Sequence, residues 1–154
     1  MAEHCIAHYH RPPAGVTEEI LAIVRALTGR WFTANVPDDT ARDLRFQDAL
    51  CVRVDGRMVA MLMFTCLDGA IHVTLMGTHP EYQGQGCGSR LVQHLCATVR
   101  ALGFDRVVVM TVPPEVNPAY AATVRFYQSQ GFVIRKRYTE LWESGAWELV
   151  KELG

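Results

Sequence analysis

No apolar run in the 154-residue chain approaches the ~20 residues needed to span a bilayer as a helix. The first residues, Met1-Ala2-Glu3-His4, lack the basic-then-apolar pattern of a secretory leader, so a cytoplasmic location and no membrane partner are expected. Charge of one sign is also missing. The formal net charge is −1, and the only basic run is Arg135-Lys136-Arg137, which reads as a solvated strand end rather than a nucleic-acid footprint. The five cysteines form no C-x-x-C pair and are odd in number, which argues against a disulfide framework or a zinc ribbon. His8 and His10 flank Tyr9 without carboxylate or cysteine partners, so no metal site is expected.

The composition that remains is that of a folded globular domain, 49% apolar and 20% charged. No repeat, linker or low-complexity tract divides the chain, and one domain over residues 1–154 is expected. A first strand at residues 4–10 leads to a helix with Thr17 as N-cap and Glu18 and Glu19 in its first turn, where Ile20, Val24 and Leu27 form the buried stripe and Gly29 the stop. A second short helix is expected after Pro37, up to residue 46. Residues 49–54, 57–67 and 70–78 are strand-like and separated by Asp55-Gly56 and Asp68-Gly69. These pairs are the residues that two-residue hairpin turns require.

Helix and strand then alternate. A helix at residues 89–102 carries Leu91, Leu95, Val99 and Leu102 on one face and ends at Gly103. A β-branched strand at 106–112, a helix at 118–130 capped by Asn117, and strands at 132–138 and 147–151 complete the chain. The fold class expected is α+β (mixed α/β). Its central mixed sheet begins as an antiparallel meander, continues through a right-handed parallel β-α-β crossover, and is flanked by helices.

The segment with most chemical content is Thr78-His79-Pro80-Glu81-Tyr82-Gln83-Gly84-Gln85-Gly86-Cys87-Gly88-Ser89, between a strand and an amphipathic helix. Three alternate glycines allow a ligand to come close to the backbone, and a helix N-terminus adds unpaired N–H donors with partial positive charge. Together these suit a phosphate or pyrophosphate. No Lys-Ser/Thr follows, which excludes a P-loop, and the spacing fails the dinucleotide G-x-G-x-x-G pattern. A bare strand–helix connector is the competing reading.

Gln83-Gly84-Gln85-Gly86-Cys87-Gly88 resembles the Q/R-x-x-G-x-G/A signature of the GNAT superfamily of N-acetyltransferases. Phe126-Tyr127-Gln128-Ser129-Gln130-Gly131-Phe132 resembles its second hallmark, a helix carrying Phe-Tyr and ending in Gly-Phe. Tyr120, Thr123 and Trp142 further resemble an uncharacterised bacterial subgroup of that family. The resemblance implies acetyl-CoA as co-substrate, with no metal. The backbone amides of Gln83, Gly84, Gln85, Gly86, Cys87, Gly88 and Ser89 would hold the pyrophosphate. Met76 and Thr78 would bond the pantetheine arm where residues 71–78 and 106–112 splay apart, with Gly77 suited to a bulge there.

It also implies direct attack by an amine on the thioester, with Tyr127 as general acid and His72 at the position where relatives carry a catalytic carboxylate. Packing within a Tyr120–Val124–Tyr127 stripe is the other reading of Tyr127, and a structural strand histidine that of His72. Tyr120 stands where many relatives have a cofactor-holding Asn. The function expected is N-acetylation of a primary amine, a small-molecule acceptor being favoured. A protein N-terminal or lysine acetyltransferase and a non-catalytic acyl-CoA sensor are the alternatives. Partners expected are acetyl-CoA and the amine acceptor, with no nucleic acid; homodimerisation stays open.

Overall fold

The computed structural model describes residues 3–154. Strand β1 (His4–His10) is followed by helices α1 (Ala14–Leu27) and α2 (Val36–Asp43) and by strands β2 (Asp48–Val54), β3 (Arg57–Leu67) and β4 (Ala70–Thr78). A 3₁₀ turn (Pro80–Tyr82) leads into α3 (Cys87–Ala101), then β5 (Arg106–Thr111), α4 (Tyr120–Ser129), β6 (Val133–Tyr138) and β7 (Ala146–Glu152). The seven strands form one mixed sheet in the order β1-β2-β3-β4-β5-β7-β6. β1–β2, β2–β3, β5–β7 and β6–β7 pair antiparallel, whereas β4 and β5 pair parallel. The architecture is therefore the expected α+β one, with its meander and its parallel step.

The two Asp-Gly turns form for the reason the sequence suggests. Asp55 and Gly56 have φ of 50° and 84°, and Asp68 and Gly69 have 52° and 76°. Positive φ at both central positions gives the turn the twist of its flanking strands.

By internal packing the chain resolves into two compact units. One holds the segment ending at Thr65 together with Leu75–Leu95, and the other Cys66–Thr74 with Cys96–Gly154. In the first, Ile20, Ile23, Val24 and Leu27 of α1 pack on Ala49, Cys51, Met61 and Met63 of β2 and β3. Tyr9, Phe32 and Leu75 complete that core. In the second, Ala70, Val108 and Val150 cluster across the sheet. Gly77 belongs to the first unit, and what requires glycine there is packing: a Cβ would lie 2.5 Å from Leu27 Cδ1.

Several boundaries differ from the sequence reading. α1 begins three residues before Thr17, with Pro13 at the N-cap and the Thr17 N–H donating to the Pro13 carbonyl at 2.9 Å. A proline suits that position because the N-cap N–H makes no helical bond. Glu18 and Glu19 thus fall beyond the first turn. Glu19 instead accepts two hydrogen bonds from Arg53, at 2.6 and 2.8 Å, which hold its carboxyl below the usual range. Gly29 does take positive φ (102°), but after an extended Thr28. α3 starts two residues early and ends at Ala101, so Leu102 lies outside it and is 70% exposed; Leu91, Val92, Leu95, Cys96 and Val99 form the buried stripe. α4 starts two residues late, and Asn117 caps the preceding turn by accepting the Ala119 N–H at 3.1 Å.

Burial of thiols sets a pH dependence. The fully buried Cys51 is pushed up from 9.0 to about 12 by desolvation, and burial raises Cys87 and Cys96 as well. Above pH 9 the unfolded chain releases these protons while the folded chain keeps them, so stability falls as pH rises. For Cys51 alone the slope is about 1.4 kcal/mol per pH unit. Urea unfolding at pH 8, 9 and 10 is expected to show this decline, and Cys51→Ala to make it shallower. An equal slope in that variant would remove Cys51 as its source.

Candidate active site

The glycine loop is built on the end of β4. The His79 N–H donates to the Val59 carbonyl at 2.8 Å, tying the loop's start to β3. Pro80 opens the 3₁₀ turn, whose cap is the His79 ring, with Nδ1 accepting the Glu81 N–H at 3.2 Å. Arg57 braces the turn from β3: it pairs with Glu81 at 3.2 Å and lies 5.4 Å from the centre of the Tyr82 ring. Gln83 Nε2 donates back to the Thr78 carbonyl at 3.2 Å. The polar residues before the glycines therefore fix the loop's exit angle.

Gly84 and Gly86 adopt φ of 77° and 84°, which L side chains rarely occupy. A Cβ added to either would meet no other atom within 4 Å. Backbone conformation, not internal crowding, is what calls for glycine here, and the space beside both residues is open. Gly86 supplies the carbonyl that accepts the Arg90 N–H at 3.1 Å, so α3 begins immediately after it. Cys87, Gly88 and Ser89 form the first turn of α3. The Cys87 side chain is buried and its thiol raised, so this residue offers the loop its backbone N–H rather than a thiolate. Gln83, Gly84, Gln85, Gly86, Cys87, Gly88 and Ser89 thus form one continuous strand-to-helix passage. Met76 and Thr78 end the strand that feeds it. The Thr78 carbonyl already accepts from Gln83.

The second unit carries the other candidates. Tyr127 lies on the buried side of α4 with Val124, and it is 3% exposed. Phe126 and Phe132 meet its ring edge-on, each with centroids 5.3 Å away. The Phe132 N–H donates to the Tyr127 carbonyl at 3.0 Å, and Gly131 at φ 94° lets the chain turn back to do so. Burial pushes the Tyr127 phenol well above its ordinary value, so it stays protonated through any neutral pH range. His72 is half-buried on β4 and pairs with Val108 in the parallel ladder, between the buried Ile71 and Val73. That ladder consists of Ile71–Val107, His72–Val108 and Val73–Val109, and β4 continues beyond it to Thr78.

One sequence expectation needs correction. His8 and His10 do have a carboxylate partner: Asp48 of β2, opposite His10 in the register, accepts from His8 Nε2 at 2.7 Å and His10 Nδ1 at 2.8 Å. The partner lies 40 residues from His8, beyond what local spacing reveals. Among the described residues no group of three or more His, Cys, Asp or Glu side chains is arranged to hold a metal. No helix among them is long and apolar enough to cross a membrane.

The acetyltransferase (GNAT) family model matches residues 19–132, from within α1 to the residue after the Tyr127 turn. The chain belongs to the GNAT family. An uncharacterised N-acetyltransferase ycf52-like protein of Prochlorococcus marinus is 31% identical over 72 residues, 46% of this chain; the match spans 36% of that relative. The ribosomal-protein-S18-alanine N-acetyltransferase of Escherichia coli has a similar fold, with a TM-score of 0.81 at 14% identity over 99% of this chain and 95% of that one. An aminoglycoside 6′-N-acetyltransferase solved with coenzyme A gives 0.75 at 11% identity, covering 97% of both chains. At such identities the last two establish the GNAT fold alone, while the family match places both the glycine loop and the Tyr127 helix inside a GNAT domain.

Proposed function

We propose that this chain acts as one N-acetyltransferase domain, moving the acetyl group of acetyl-CoA to a primary amine by direct attack in a ternary complex. The observation that carries this reading is the loop before α3: two positive-φ glycines with open space beside them, leading straight into a helix N-terminus. Backbone N–H groups from Gln83 to Ser89 hold the pyrophosphate, and the backbone at Met76 and Thr78 holds the pantetheine arm. The amine nitrogen attacks the thioester carbonyl and gives its proton to His72. The tetrahedral oxyanion collapses with cleavage of the C–S bond, and the departing thiolate takes a proton from Tyr127. Tyr127 recovers that proton from solvent after product leaves.

A small amine is the favoured acceptor. Thermal unfolding tests the co-substrate, because a ligand selective for the folded state raises stability by mass action. Acetyl-CoA or CoA at about 100 times Kd is expected to add about 2.7 kcal/mol, a rise of roughly 5–10 °C for a chain of this size. NAD and ATP at the same concentration should not. Equal shifts from all of them would defeat the assignment. Release of free thiol across a panel of small amines and peptides then identifies the acceptor. Turnover on peptides alone would replace the small amine by a protein acceptor, and tight binding without turnover would leave the sensor reading.

A further inference from the structure

Strand β1 is one edge of the sheet, with β2 on one side and no strand on the other among the described residues. Which of its backbone groups face outward follows from the end of the ladder. The Asp55 N–H donates to the Glu3 carbonyl at 2.9 Å, and these two residues extend the register that pairs His4 with Val54. Directly opposed residues of an antiparallel pair alternate between exchanging backbone bonds and exchanging none. Glu3, Cys5, Ala7 and Tyr9 therefore bond to β2, while the N–H and C=O groups of His4, Ile6, His8 and His10 point to the free side. Val54 gives the same answer. It faces Arg57 across the two-residue Asp55-Gly56 turn, so its backbone is directed at β3 and not at His4.

Sheet edges are ordinarily blunted by charge, proline or a bulge. The opposite edge, β6, is blunted twice over, by Arg135-Lys136-Arg137 and by a register shift between Ile134 and Lys136. β1 has neither. Its sequence, His-Cys-Ile-Ala-His-Tyr-His, holds no Lys, Arg, Asp, Glu or Pro, and its pairs with β2 run without a shift. Asp48 grips one end through His8 and His10, and Asp55 Oδ1 grips the other by accepting the Glu3 N–H at 3.0 Å. Charges stand just outside the strand, Glu3 before it and Arg11 after it. Both are exposed, and neither forms an ion pair with another described residue.

We propose that β1 is the docking edge for a second copy of this chain, the two strands running antiparallel about a two-fold axis at Ala7. The outward-facing residues sit symmetrically about Ala7. This register sets His4 against His10 and Ile6 against His8 of the second copy, so each outward N–H meets an outward carbonyl. It also brings Glu3 beside Arg11 of the second copy, once on each side of the axis, and the opposite charges meet. Parallel pairing would instead crowd Glu3 against Glu3 and Arg11 against Arg11. A contact of this kind uses the same patch on both copies and closes on itself.

Sedimentation velocity over a concentration series should show the wild type as a dimer at high micromolar concentration. Ile6→Pro removes an outward N–H and puts a ring on the free side while sparing the bonds to β2, so it should fold and stay monomeric. Glu3→Arg and Arg11→Glu should each weaken association about tenfold, and the doubly swapped chain should recover it. Ala7 faces its own copy in a pair that exchanges no backbone bonds, where Cα atoms stand about 4.5 Å apart, within reach of a disulfide. Ala7→Cys in a Cys5→Ser, Cys66→Ser background should therefore yield a covalent dimer under mild oxidation. A wild type that is monomeric throughout overturns the proposal, as does a dimer that survives Ile6→Pro. Association that ignores both charge swaps and leaves Ala7→Cys uncrosslinked overturns the axis at Ala7. If Ile6→Pro does not fold, the swaps and the cysteine decide alone.

Discussion

Gly86→Val is expected to abolish the stabilisation of this chain by acetyl-CoA. At φ 84° the backbone of Gly86 is in a region where any L side chain is strained, by about 1–2 kcal/mol and more for a β-branched one. The protein itself places nothing within 4 Å of the added Cβ, so the variant should fold. Its side chain then occupies the open space over the loop, and relief of strain turns neighbouring N–H groups away. Losing two charge-assisted hydrogen bonds of about 1.5 kcal/mol each lowers affinity more than a hundredfold. Gly103 is the control. It has φ of 96° and equally open surroundings, at the far end of the 15-residue α3, about 22 Å along the helix. Gly103→Val should show a comparable loss of intrinsic stability and a normal acetyl-CoA shift. If Gly86→Val keeps the shift, the pyrophosphate lies elsewhere.

These two glycines also show which features a sequence reveals. Gly86, like Asp55-Gly56 and Asp68-Gly69, sits where local chemistry dictates the backbone, and each is legible without tertiary information. β3 and β4 have the bounds expected because short turns fix both of their inner ends. Helix ends are less legible, since a cap is decided by competition among neighbouring residues. Thr17 is a better cap by type than Pro13, yet Pro12-Pro13 already holds the extended backbone from which α1 starts. Gly77 illustrates a second limit. A Cβ there would lie 2.5 Å from Leu27 Cδ1, 50 positions earlier, a close approach that no local pattern reveals. The bond from Arg53 to Glu19 and the pairing of Asp48 with His8 and His10 are hidden for the same reason: each joins residues 34 to 40 apart. Of the site, the loop and the Tyr127 turn are legible as motifs.

Tyr127→Phe is expected to lower kcat by about 10²–10⁴-fold while leaving the affinity for acetyl-CoA nearly unchanged. The phenylalanine ring retains both edge-on contacts, with Phe126 and Phe132, so packing of α4 should survive. Only the hydroxyl is lost. Burial raises the Tyr127 pKa, which makes the phenol a weaker acid but also keeps its proton in place throughout the assay range. It follows that Tyr127 should contribute no fall in kcat below about pH 10, its ordinary value. His72→Ala is expected to lower kcat/KM as well, through loss of the base proposed for the amine. Turnover must be measured with an acceptor, since hydrolysis of the thioester by water has no amine to deprotonate. A Tyr127→Phe variant with unchanged kcat would return Tyr127 to the packing stripe of α4 and leave the thiolate to be protonated by water.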